Sequence, residues 1–340
     1  MDRAPLRVAI NGFGRIGRTL LRQAMDRADV DVVLINDIAS PELAAYLFQY
    51  DSVFGPWPGS AVVENDVLHI DGYAIPMATS ADLAELDLCD IDVLFECTGS
   101  DAAAANARCC IGKGVGQVIV SGPASWADST LILGANADCF RGERIVSNGS
   151  CTTNALAPLL RLVDELFGVI GAQMTTVHCY TGSQPSVDQP RGDFARSRAA
   201  ALSMVPTTTS AHRLLKDVLP HLAGLVEARA IRVPTASVSA IDLTVAVRHS
   251  RTEREMSEDL KRAVTSSATI GWTDKPLVSV DLRARPESLV LCGPEISLAR
   301  GGLLRLFGWY DNEWAFAARM LDMACYLRTK RDGGSDAAVA

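Results

Sequence analysis

Two short runs of this chain carry residue types at spacings that can do chemistry. The first is Asn11-Gly12-Phe13-Gly14-Arg15-Ile16-Gly17, a GxGxxG spacing set directly after the apolar run Leu6–Ile10. At that spacing Gly12 permits a tight turn and Gly14 lets a pyrophosphate approach the backbone. Gly17 lets the following helix pack closely on the strand, with its N-terminus facing the phosphates. A second apolar run, Val30–Asn36, is followed at once by Asp37, 20 residues after Gly17. A carboxylate there can hydrogen-bond the adenosine ribose hydroxyls and repel a 2′-phosphate, which favours NAD over NADP. A ligand-free glycine turn and a strand-end turn residue are plainer readings of the same residues. The strand, glycine, helix, strand, acid order is what favours a bound dinucleotide.

The second run is Ser147-Asn148-Gly149-Ser150-Cys151-Thr152-Thr153-Asn154. It joins a short strand to a helix, so Cys151 is expected at a helix N-terminus. The helix dipole and free N–H groups there would lower the thiol pKa and hold an oxyanion formed by attack on a carbonyl. A base is still needed, and His178 stands near the end of the next strand-like run, in Thr175-Thr176-Val177-His178-Cys179-Tyr180-Thr181. A Cys/His pair beside a nicotinamide site implies aldehyde oxidation through a thioester. By residue type alone, Cys151 is equally a buried structural cysteine, and His178 a strand-end histidine bonded to backbone.

The elements that must position these groups change character along the chain. In the first half, apolar strands at Leu6–Ile10, Val30–Asn36, Ile91–Cys97 and Val118–Ser121 alternate with helical runs at Arg15–Arg27, Pro41–Phe48 and Asp101–Ile111. That alternation predicts a doubly wound, Rossmann-type parallel sheet covered on both faces, over residues 1–150. The second half, 151–312, predicts an α+β domain with a mostly antiparallel sheet. It carries Cys151 and His178 and is therefore expected to be the catalytic domain. Its helices are expected at Thr152–Phe167 and Thr252–Ser266. Its strands are expected at Val169–Tyr180, Ala228–Val233, Ser237–Arg248, Leu277–Val280 and Leu303–Tyr310. The polar segment Thr181–Met204 is too long for an ordinary connector and reads as functional. A last helix at Asn312–Leu327 is expected to pack back on the first domain, followed by a frayed tail, 329–340.

Composition narrows the class. The chain has 340 residues, 48% hydrophobic and 21% charged, which suits two folded domains and excludes a disordered chain. Lys and Arg number 32 against 40 Asp and Glu, for a net charge of −8, with no basic run. Nucleic acid is therefore not an expected partner. No apolar stretch approaches the roughly 20 residues that span a bilayer. The start, Met1-Asp2-Arg3-Ala4-Pro5, lacks the plan of a secretory signal, so no membrane partner and a cytoplasmic location are expected. Nine cysteines are scattered without a CxxC pair, which speaks against a disulfide framework and a metal site. Most are expected to be small buried hydrophobes.

These residues resemble the glyceraldehyde-3-phosphate dehydrogenase family, from Val8 to about Leu327. Ile10–Arg18 is similar to its cofactor signature and Ser147–Asn154 to its active-site signature, with Gly149 where alanine is usual. Trp309-Tyr310-Asp311-Asn312-Glu313-Trp314 is similar to its C-terminal signature. The resemblance implies Cys151 as nucleophile, His178 as base and Asn312 as a contact of the nicotinamide amide. Asn11, Gly12, Gly14, Arg15, Ile16, Gly17 and Asp37 fall in the implied NAD site. The implied anion sites, for a phosphorylated aldose and inorganic phosphate, use Ser150, Thr152, Thr181, Arg196, Thr209 and Arg232. The resemblance also implies a homotetramer, with 151–312 as its oligomerisation domain too and Thr181–Met204 as a loop lining the cofactor site and subunit contacts.

Departures from the pattern are Ala155 for a second cysteine and Ser210 for a glycine beside the acceptor site. Phe316 replaces a tyrosine, Gln189-Pro190 a Leu-Pro, and Met77-Ala78-Thr79-Ser80 lacks an arginine. Asp51-Ser52-Val53 and Pro276–Asp281 resemble members linked to arsenic handling. Readings that stay open are the sister enzyme acting on erythrose 4-phosphate, an arsenate-using paralogue, and a catalytically weak redox-sensing paralogue.

Overall fold

A computed structural model describes residues 4–333, so Met1–Arg3 and the last part of the expected tail lie outside the described residues. The described chain divides into two compact units. One takes residues 4–131, 140–149 and 317–333; the other takes 132–139 and 150–316. Ile132–Cys139 thus counts with the second unit, although it precedes residue 151.

The first unit is built on a nine-stranded sheet. Its elements are β1 (Leu6–Asn11), α1 (Arg15–Ala24), β2 (Val30–Asn36), α2 (Pro41–Gln49) and a two-rung ladder of β3 (Tyr50–Asp51) and β4 (Gly55–Pro56). Then come β5 (Ala61–Glu64), β6 (Val67–Ile70), β7 (Tyr73–Ala78), β8 (Val93–Glu96), α3 (Ala103–Gly112), β9 (Gln117–Val120), β10 (Ser129–Thr130) and β11 (Ile145–Ser147). The strand order is β10-β11-β9-β8-β1-β2-β7-β6-β5. Every pairing from β10 to β7 is parallel. The β5-β6-β7 edge is antiparallel, an addition to the expected parallel sheet. Ala9, Leu94, Val118 and Ile145 bury one sheet face with Ala107 and Cys110 of α3. Val8, Ile10, Phe95 and Ile119, on the opposite face, are buried as well, which is why these strands read as near-continuous apolar runs.

The second unit opens with α4 (Cys151–Phe167). It continues through β12 (Val169–Cys179), β13 (Val205–Thr208), α5 (Ser210–Val218), β14 (Val226–Val233), β15 (Ser239–Val247) and α6 (Glu253–Thr265). It ends with β16 (Ile270–Thr273), β17 (Leu289–Cys292), β18 (Ser297–Ala299) and β19 (Leu303–Tyr310). The sheet runs β13-β14-β12-β15-β19-β17-β16, with β18 also on β19. Only β12/β14 and β16/β17 are parallel pairs. Leu156, Leu159, Leu160 and Val163 of α4 are fully buried with Ile241, Leu243, Val245, Leu304 and Leu306 of the sheet. The alternation of β12 puts Ala172, Met174, Thr176 and His178 on its buried face. The start of α6 is fixed by a capping box, Thr252 with Glu255.

Several expectations need correcting. Leu277–Val280 is not a strand. Ser279–Leu282 forms a 3₁₀ turn, closed by the Asp281 carboxylate accepting the Val278 N–H at 2.9 Å. The last helix, α7 (Trp314–Arg331), runs through the start of the segment expected to fray. Only three of the nine cysteines are buried: Cys110, Cys179 and Cys292. Among the described residues, no helix is long and apolar enough to cross a membrane, and no cluster of His, Cys, Asp or Glu could hold a metal ion.

Candidate active site

The glycine turn of the first unit is shaped by steric necessity. Gly12 has φ +93°, and a Cβ on it would lie 2.6 Å from the Cys97 carbonyl carbon at the end of β8. A Cβ on Gly17 would collide with the Gly12 carbonyl oxygen. Around Gly14 a Cβ would meet nothing within 4 Å, so the backbone there is open to a ligand. Gly14 is also the N-cap of α1, with no side-chain cap and no acidic residue in the first turn. Its leading N–H groups are available to an anion. Asp37 accepts the Phe13 N–H at 2.5 Å and the Ala39 N–H at 2.8 Å, which ties the strand-end carboxylate to the glycine turn. These features fit NAD.

Other residues expected around the cofactor are placed differently. Asn11 is buried, donating to Glu96 at 2.6 Å and accepting from Asn36 at 2.8 Å. It braces the turn from behind. Arg15 pairs with Asp51 and lies over the Phe54 ring. Ile16 is partly buried in the first turn of α1. In the second unit, Asn312 accepts from Cys179 Sγ at 3.0 Å and Ser239 Oγ at 3.3 Å. Two donors on its oxygen fix the amide's orientation and leave its N–H₂ to donate.

Cys151 is the first residue of α4, and Ser150 is its N-cap, accepting the Thr153 N–H at 3.1 Å. Cys151 Sγ lies 3.5 Å from His178 Nε2. The parallel register of β12 and β14 sets His178 opposite Arg232. His178 Nδ1 lies 2.7 Å from the Cys179 carbonyl oxygen and 2.7 Å from Arg232 Nη1, which itself donates to that carbonyl at 2.9 Å. Nδ1 can donate to the carbonyl or accept from the guanidinium, but not both. An anion that draws Arg232 away leaves Nδ1–H on the carbonyl and Nε2 bare toward the sulfur.

The charge states follow from burial. Burial, then the neighbouring Arg232, hold the His178 imidazole down to about 3. Burial pushes the Cys151 thiol up, against Arg232 and the Thr152 N–H, which pull it down. Burial of the pair thus works against the lowering expected from the helix N-terminus, and in both groups it favours the uncharged form.

The pair opens into a cavity of about 470 Å³ whose lining includes Ser150, Thr152, Arg196, Thr209 and Arg232. Arg196 Nε is held by Thr207 Oγ1 at 2.8 Å. Thr181 does not line the cavity; its hydroxyl pairs with Ser183 at 2.9 Å. Sequence reasoning missed Tyr310, which is buried with its hydroxyl 2.9 Å from Thr152 Oγ1 and 2.8 Å from Thr176 Oγ1. It packs edge-on to His178. Its only sequence signal was its place in the C-terminal signature. Arg213 was also missed, although it stands four residues after Thr209 on α5.

A dinucleotide cradle and a thiol poised beside an imidazole, in one chain, are what a nicotinamide-dependent oxidoreductase of carbonyl compounds needs. The two units point to that class. Residues 6–103 match the family description "Glyceraldehyde 3-phosphate dehydrogenase, NAD binding domain", and residues 150–312 match its C-terminal domain. The chain is 40% identical over 326 residues to glyceraldehyde-3-phosphate dehydrogenase of Xanthobacter flavus, covering 94% of this chain and 97% of that one. It is 40% identical over 331 residues to glyceraldehyde-3-phosphate dehydrogenase 2 of Bacillus subtilis, covering 96% and 97%. It is 39% identical over 333 residues to the Pseudomonas aeruginosa enzyme, covering 96% and 99%. The chain belongs to the glyceraldehyde-3-phosphate dehydrogenase family and is an NAD-dependent oxidoreductase.

Proposed function

We propose that the protein oxidises glyceraldehyde 3-phosphate with NAD and inorganic phosphate, giving 1,3-bisphosphoglycerate, NADH and a proton. The observation that carries this reading is the 3.5 Å approach of Cys151 Sγ to His178 Nε2 inside a cavity lined by Arg196 and Arg232. Cys151 sulfur attacks the aldehyde carbon while its proton passes to Nε2. The first-turn N–H groups of α4 stabilise the developing oxyanion. NAD, when bound, supplies the hydride acceptor. His178 returns the Cys151 proton to the oxyanion, giving the hemithioacetal hydroxyl, and takes it up again as the hydride leaves and the thioester forms. Phosphate then attacks the acyl carbon, and Cys151 leaves as the thiolate. Arg196 and Arg232 hold the two anions, with Ser150, Thr152 and Thr209 adding hydroxyl donors. Substrate phosphate on Arg232 also frees His178 Nδ1 for its carbonyl, which couples anion binding to the base.

Asn312, with its amide fixed by Cys179 and Ser239, is assigned to the nicotinamide carboxamide. Asp37 is assigned to the adenosine ribose. Thr181, outside the cavity, is assigned to substrate phosphate only on the resemblance. The segment Thr181–Met204 exposes Val187, Phe194, Leu202 and Met204, which supports a role in subunit contacts; the protein is assigned as a homotetramer in the cytoplasm on the resemblance.

The test is initial NADH formation with and without phosphate, on the triose and on erythrose 4-phosphate, with arsenate as a third acceptor arm. Fast, phosphate-stimulated turnover on the triose is expected. Preference for the tetrose moves the protein to the sister enzyme. A single stoichiometric burst refutes phosphorolysis.

A further inference from the structure

Cys179 stands at the end of β12, one position after His178. Successive residues of a strand point to opposite sides. His178 takes Cys151 on one side. Cys179 takes Asn312 on the other, its Sγ donating to Asn312 Oδ1 at 3.0 Å. The carbonyl of the same residue accepts Arg232 Nη1 at 2.9 Å. Its N–H donates to Ser239 Oγ at 3.2 Å, and Ser239 Oγ reaches Asn312 Oδ1 at 3.3 Å. The thiol is the nearer of the two donors on that oxygen. Burial pushes it up to about 12, so it keeps its proton at neutral pH.

The surroundings leave Asn312 little freedom. Asp311 accepts the Glu313 and Trp314 N–H groups at 3.0 and 2.9 Å and the Ala284 N–H at 2.9 Å, which fixes the backbone on either side. Ser239 follows Val238, which is buried at φ +65°. That left-handed conformation is costly for a β-branched residue and persists only where packing imposes it. Here Val238 is clustered with Leu282 and Val290. Asn312 is 7% exposed, and among the described residues its N–H₂ donates to nothing. A side chain so fixed, with one pair of donors unspent, suits a ligand that brings an acceptor.

We propose that Cys179 is a positioning residue for the cofactor: its thiol proton holds Asn312 Oδ1, which leaves the amide N–H₂ for the carbonyl oxygen of the nicotinamide carboxamide. This rests on the assignment of Asn312 made above. Cys179 acts only through Asn312, so it serves the nicotinamide end of the cofactor and not the adenosine or the pyrophosphate.

The test compares NAD with ADP-ribose, which carries the adenosine and pyrophosphate but no nicotinamide. Both are titrated calorimetrically into the full-length enzyme without aldehyde. Cys179→Ala is expected to weaken NAD about fivefold, the scale of one lost hydrogen bond, and ADP-ribose less than about twofold. Cys179→Ser, which keeps a donor, is expected to hold NAD within about twofold of the parent. Alkylation of Cys151 by iodoacetamide, followed on its own peptide, is expected to change less than about twofold in Cys179→Ala, because the backbone carbonyl beside His178 and Arg232 remains. Equal weakening of both ligands, or of neither, overturns the proposal. So does a serine variant as weak as the alanine one, or a larger change in Cys151 alkylation, which would mean that Cys179 acts through His178. Asn312→Ala separates this proposal from the assignment beneath it. If that variant leaves the ratio of the two affinities unchanged, Asn312 does not hold the nicotinamide and both readings fall. If it shifts the ratio and Cys179→Ala does not, Cys179 alone is refuted.

Discussion

His178→Asn tests the resting charge state of the Cys151 pair through stability. His178 is 4% exposed, and burial with Arg232 beside it holds the imidazole down to about 3, against an ordinary value of 6.5. In the unfolded chain the imidazole takes a proton below about pH 6.5, while the folded protein refuses it until about pH 3. The stability that His178 contributes as a neutral group is thus fully present above pH 6.5 and lost as pH falls. The slope is about 1.4 kcal/mol per pH unit, or about 2 kcal/mol between pH 6.5 and 5. The asparagine of the variant cannot titrate but keeps an amide that can reach the Cys179 carbonyl. Urea unfolding of both proteins at pH 7 and pH 5 isolates the effect, because every other titrating group is common to the two. The parent should lose about 2 kcal/mol more than the variant on acidification. Equal losses would refute the neutral imidazole. A parent that gains on the variant at acid pH would mean His178 already carries its proton, as in a thiolate–imidazolium pair.

Three further outcomes are expected. Cys151→Ser should abolish turnover while NAD affinity, measured by fluorescence titration, stays within about twofold, because α1 and its glycine turn are untouched. Gly17→Ala should weaken NAD binding at least about tenfold and cost about 1–3 kcal/mol in thermal unfolding, since its Cβ meets the Gly12 carbonyl oxygen, which belongs to backbone and cannot swing away. Tyr310→Phe should cost about 1–3 kcal/mol in urea unfolding, because it strips the buried hydroxyls of Thr152 and Thr176 of a shared partner.

What could be read from the sequence depended on how local its cause was. The glycine turn was legible because its glycines stand at short fixed spacings directly after one strand, with Gly17 answering to the Gly12 carbonyl five residues back, and because Asp37 follows its own strand directly. The pairing of Cys151 with His178 needed only one further step. Helix α4 leads away from Cys151 for about 25 Å, Gly168 turns the chain at φ +69°, and β12 returns about 30 Å to bring His178 level with the helix start. Leu277–Val280 failed for the opposite reason. Its Leu-Val-Ser-Val pattern suits a strand, but Asp281 captures the Val278 N–H and the chain closes into a turn. The β5-β6-β7 edge was missed as well. β5 and β6 have four residues each and are half exposed, and Pro76 inside β7 argues locally against a strand there.

Arg232 and Arg213 show where local reasoning ends. Arg232 reaches His178 through a parallel register between strands 54 residues apart, which no local pattern dictates. A slip of one residue would turn its side chain to the other face. Arg213 joins the cavity only because α5 starts at Ser210, directly after β13, with Thr209 as its cap. The spacing from Thr209 to Arg213 was visible in the sequence, but it gained meaning once a helix began there. The Cys151–His178 approach is thus fixed by one helix-to-strand return, and the placing of Arg232 and Arg213 by sheet register and by a helix start. Substitutions that shift β14 or uncap α5 should therefore disturb anion binding while Cys151 and His178 stay within reach of each other.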